Sequence, residues 1–215
     1  MTHMKKILSL ALVAVLAVSL LGGCVSTAQK LQQLAGTWSV TTAAVEGEAE
    51  KLLKSLDAKE AELALADLGS LKITQQVIFT ADGSYTFCYD VEAVRAAVKA
   101  FFEGYFDDLY EGRDTLKELH KTDFAEMSQE DFRAFYAKFY GVESYEALIT
   151  QLVAEAYDYA QLAKPAETGT VTVRGSRLHC TPEGQAQAWI IGYELRDGKL
   201  RLNFADAIQV YEKVN

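Results

Sequence analysis

The spacing of hydrophobic positions switches twice along the chain, from a period of two to a helical period and back. Gly36 to Thr42 is rich in β-branched and aromatic residues and reads as a strand. Glu46 to Leu68 follows with leucines at 52, 53, 56, 63, 65 and 68 among Lys, Glu and Ala, a helical composition. Ile73, Val77 and Phe79 then alternate with polar neighbours, Asp82-Gly83 marks a turn, and Tyr85, Phe87 and Tyr89 alternate on the return. Asp90 caps a long helix whose apolar positions run from Val91 through Val98, Phe101 and Phe102 to Leu109. Ser128 starts a second helix carrying Phe132, Phe135, Tyr136, Phe139 and Tyr140, which Gly141 stops, and Ser144 starts a third that ends before Pro165. From Thr168 the period returns to two. Five short strands joined by turns at Gly175-Ser176 and Asp197-Gly198 complete a meander.

The sum predicts an α+β protein: an antiparallel β-barrel of about eight strands interrupted by an all-helical insertion. Closing eight strands removes exposed edges and leaves room for side chains or one small ligand. The domain is expected over residues 34–215, with the insertion over 91–164.

The segment before this domain follows different rules. Lys5 and Lys6 precede an apolar run from Ile7 to Leu21, shorter than a membrane span, and Gly22-Gly23 then precede a cysteine. Leu21-Gly22-Gly23-Cys24 resembles the lipobox of bacterial lipoproteins. That resemblance implies a signal peptide over 1–23, cleavage before Cys24, and diacylglycerol on the Cys24 thiol. It places the protein on the extracytoplasmic face of the cell membrane, its membrane partner reached through the N-terminal lipid. Residues 24–33 are expected to be a polar tether.

Gly36-Thr37-Trp38 ahead of a meander resembles the lipocalin-like superfamily, in which a Gly-x-Trp motif opens the barrel and the tryptophan plugs one end. By that resemblance Gly36 and Trp38 are structural, and the interior is a ligand cavity.

Charge narrows the partners. The chain carries 30 acidic and 21 basic residues, for a net charge of −9, and loss of Lys5 and Lys6 with the signal makes it more acidic. This balance excludes nucleic acid and argues against direct docking on anionic lipid. The domain is long enough to bury a core without disulfides. Cys88 and Cys180 are the thiols left once Cys24 is acylated, and outside the cytoplasm they could form one disulfide or remain two separate buried thiols.

Catalytic chemistry finds little support. His120 lies at a predicted helix end and His179 in mid-strand, with no Gly-x-Ser-x-Gly elbow and no metal-ligand spacing to another histidine or cysteine. Asp107-Asp108 and Glu130-Asp131 read as solvated helix faces, and Glu46, Glu48 and Glu50 do not form a calcium loop. No catalytic residue, cofactor or metal is expected.

Aromatic residues stand out instead. Of the 23 Phe, Tyr and Trp residues, 14 fall between Phe101 and Tyr159, several as adjacent pairs that widen the apolar stripe beyond one packing face. The expectation is a non-enzymatic, membrane-tethered binding module holding a small apolar or amphipathic ligand. Phe102, Tyr105, Phe106, Phe135, Tyr136 and Phe139 would contact it from a helical lid. The rival reading is a structural or protein-interaction lipoprotein with a filled barrel.

Overall fold

The computed structural model describes residues 26–205 and 207–214. The proposed signal peptide and Cys24 lie outside them. Eight antiparallel strands form a closed barrel in sequence order: β1 (Gly36–Ala43), β2 (Lys72–Phe79), β3 (Ser84–Tyr89), β4 (Glu167–Arg174), β5 (Arg177–Pro182), β6 (Trp189–Arg196), β7 (Lys199–Asn203) and β8 (Ile208–Lys213). The register runs from Gly36 opposite Phe79 to Ala43 opposite Lys72, and Trp38 opposite Lys213 closes the ring. The α+β barrel expected from the pattern is therefore present.

An up-and-down barrel places alternate connections at opposite ends. At one end lie the three tight turns between β2 and β3, β4 and β5, and β6 and β7. At the other lie two long connections, residues 44–71 and 90–166, which hold helices α2 (Glu48–Ser55) to α8 (Tyr159–Leu162). Asp90 caps α4 (Val91–Glu111) by accepting from Ala93 N at 3.1 Å, and Ser128 and Ser144 cap α6 (Gln129–Phe139) and α7 (Tyr145–Ala156) in the same way. Helix α6 ends at Gly141, whose φ of +74° suits a residue without a Cβ.

The expected tether at 24–33 is instead mostly helix. α1 (Thr27–Leu34) opens with a Ser26/Gln29 capping box and seals the tight-turn end of the barrel. Leu34 is fully buried, Trp38 Nε1 donates to Leu34 O at 2.7 Å, and Lys30 Nζ reaches Gly175 O at 3.0 Å. The segment's polar composition conceals that Leu31 and Leu34, three residues apart, share a face against the barrel core. Lys213 lies 5.2 Å over the Trp38 ring. Trp38 thus plugs this end, and Gly36, at φ +130°, leads the chain from α1 into β1.

The described residues form two hydrophobic cores. One fills the barrel with Trp38, Val77, Phe79, Tyr85, Leu178, Leu200 and Tyr211. Gly169 is required because a Cβ there would run into Thr181 O on the adjacent strand β5 as well as stand 2.8 Å from the Tyr85 ring. The other lies among the helices, built around α4 and its Val98, Phe101, Phe102, Phe106 and Leu109. Helix α4 packs on β2 and on α7, so the helical domain stands against the barrel wall.

Cys88 and Cys180 are free thiols. Phe87 faces the barrel core, so Cys88 faces outward, opposite Gln76, while Cys180 is buried inside against Trp189 and Val171. Side chains on opposite faces of a barrel wall cannot bridge, so the disulfide alternative falls.

Candidate functional site

The helix-bearing end of the barrel opens as a basin of about 580 Å³. Four inward-facing aromatic side chains line it: Phe87 on β3, Trp189 on β6, Tyr211 on β8 and Phe204 just after β7. Trp189 is the central ring. Phe87 lies 5.8 Å from it at 34°, Phe204 stacks at 6.4 Å and 25°, and buried Tyr85 meets it edge-on at 6.3 Å. Trp189 Nε1 is buried without a hydrogen-bond partner.

Polar groups are few and sit among the rings. Gln209 Oε1 accepts from Tyr211 Oη at 2.6 Å, and burial pushes the Tyr211 hydroxyl up to about 12. Glu167 opens β4 directly opposite Phe87, and its Oε1 accepts from Tyr85 Oη at 2.6 Å. Burial, then this bond, raises the Tyr85 hydroxyl far above the ordinary tyrosine range. Gln75 on β2 forms the wall shared with a second void of about 110 Å³ between barrel and helices, lined also by Val94 and Tyr157. That void is large enough for about four waters.

The basin is a shallow, broadly open depression whose lining, mostly apolar with a few placed polar groups, resembles that of a small-molecule site. Comparison with known proteins finds no matching family model, no matching curated protein and no matching solved structure. The site is read from its own chemistry.

The six aromatics expected to contact ligand lie elsewhere. Phe102, Tyr105, Phe106 and Tyr136 are buried in the helical core, Phe135 is half-buried, and Phe139 is 61 % exposed. None lines the basin. Helices of that length need bulky residues for their own core, and adjacent pairs pack on two neighbours at once, as Tyr105 and Phe106 do. The helical domain stands beside the basin and does not cover it, which corrects the lid expectation.

A second cluster lies in that core. Tyr136 Oη donates to Glu62 Oε1 at 3.0 Å, and His120 Nε2 lies 3.1 Å from the same oxygen and 3.0 Å from Tyr136 Oη. Glu62 belongs to α3 (Glu60–Leu63), and its Oε2 accepts from Lys59 N at 2.9 Å. His120, expected as a helix-end cation, is buried with Phe124, Phe135, Tyr136 and Phe139 around its ring. Burial, then Glu62, pushes the Tyr136 hydroxyl far up. None of the three lines the basin or the void, and the bonds tie α3 to α6. Among the described residues no group of three His, Cys, Asp or Glu side chains could hold a metal ion.

Proposed function

We propose that this protein is a membrane-tethered, extracytoplasmic binding lipoprotein of lipocalin-like character, taking a small amphipathic ligand at the mouth of its barrel. The observation that carries the reading is the 580 Å³ basin centred on Trp189, open at the one barrel end that α1 and Trp38 do not plug. Rings on three sides supply apolar contact, while Gln75, Gln209 and Glu167 supply orientation.

The anchor fits this arrangement. Cys24 precedes Ser26, the cap of α1, by two residues, at most about 7 Å of chain. A lipid on Cys24 would set the plugged end against the bilayer and turn the basin toward the aqueous side. Charge follows the same axis. Lys30, Arg174, Arg177, Arg196, Lys199 and Lys213 all belong to elements that end or begin at the plugged end. Residues 44–71 and 90–166, at the far end, hold 23 acids against 11 bases. The plugged end is thus less acidic than the far end, although Arg196 and Lys199 there pair with Asp197 and Glu212.

Titration of the full-length protein with the uncharged fluorescent probe N-phenyl-1-naphthylamine tests the site. Trp189→Ala should weaken binding at least tenfold in folded protein, while Tyr136→Phe in the helical core should leave it unchanged. Equal binding by wild type and Trp189→Ala would remove the basin as the site.

A further inference from the structure

We infer that the ligand of the basin is an organic cation, an ammonium head held by Glu167 with its apolar substituents over the rings of Phe87, Trp189 and Phe204. The inference rests on the basin reading above and specifies its ligand class. Glu167 is half-buried, faces the barrel interior opposite Phe87, and joins none of the ion pairs among the described residues. Its one hydrogen bond comes from Tyr85 Oη to Oε1, so Oε2 has no donor among the described residues, and the residue lines the basin. No Lys, Arg or His lines the basin. A half-buried carboxylate with no positive partner in the protein is a place where a cationic ligand gains a charge-assisted contact.

The surroundings select which positive charge fits. A metal ion needs several oxygen, nitrogen or sulfur ligands, and the basin offers one carboxylate and two amides. Aromatic faces carry negative quadrupoles and attract alkylated ammonium groups, whose weak hydration makes the transfer inexpensive. Four rings beside one acid is therefore a site for an amine bearing apolar groups. The net charge of −9 raises the local concentration of such a ligand and disfavours anions.

Two probes of one shape separate charge from apolar contact: benzyltrimethylammonium and neopentylbenzene, its uncharged carbon isostere. Binding to the full-length protein is followed by tryptophan fluorescence, with Trp189→Phe identifying the responding ring. Wild type should bind the cation at least tenfold more tightly than the isostere. Glu167→Gln should lose that preference by weakening the cation alone. Equal affinities in wild type, or full cation affinity in Glu167→Gln, would overturn the cation assignment while leaving the basin as an apolar site. If neither probe binds, both readings fail. The wild-type comparison needs no variant to fold.

Discussion

Individual residues here draw their roles from where burial places them, and two examples make that measurable. Tyr136 holds Glu62 and His120 together inside an apolar core, so Tyr136→Phe removes two hydrogen bonds and leaves two polar groups facing a ring edge. The expected cost is about 1 to 3 kcal/mol, read from urea unfolding, and a loss below about 0.5 kcal/mol would show the cluster to be incidental. Cys180 illustrates the pH consequence of burial. Desolvation, then the Glu167 charge, pushes its thiol up to about 12 from an ordinary 9.0. The unfolded chain therefore loses this proton first as pH rises. Stability from the neutral thiol is complete below about pH 9 and is lost as pH climbs toward 12, by about 3 kcal/mol at pH 11. Cys180→Ala should fall less steeply than wild type between pH 9 and 11; an identical slope would contradict the assignment. Neither residue announces its environment in the sequence. His120 reads as a solvated helix end because which carboxylate will fold over it depends on α3, 58 positions away.

Elements were the most legible scale, because caps and turns are local chemistry. Asp90, Ser128 and Ser144 are followed by the helices their side chains cap, and Asp82-Gly83, Gly175-Ser176 and Asp197-Gly198 stand at the tight turns that join strands. Helix α1 escaped because its burial uses only Leu31 and Leu34 among polar residues, so the segment reads as a tether. Leu34→Ala tests how far α1 belongs to the barrel. It should cost about 2 to 5 kcal/mol and expose Trp38, seen as a red-shifted emission component; an unchanged spectrum and midpoint would mean that α1 is a loosely held tether after all. The candidate site escaped for a related reason. Its aromatics are single residues on β3, β6 and β8 and in the short connection before β8, gathered only when the barrel closes, whereas the conspicuous pairs at 101–102, 105–106 and 135–136 serve a helical core.

At the scale of the whole molecule, the fold separates support from site. One barrel end is plugged by Trp38 and α1 and adjoins the proposed anchor, while the other opens a basin beside an acidic helical domain. If Cys24 is acylated, wild type should partition into the detergent phase and Cys24→Ala should not; equal partitioning would remove the anchor and leave the basin standing. The central claim, that ligand enters at the open end and touches Trp189, has a direct readout because the chain has two tryptophans, one at each end. Full-length protein labelled with 5-fluorotryptophan should give two fluorine resonances, assigned with Trp38→Phe and Trp189→Phe. On saturation with N-phenyl-1-naphthylamine the Trp189 resonance should shift while that of buried Trp38 holds its position. A probe that binds without moving the Trp189 resonance, or that moves Trp38 in its place, would contradict the account.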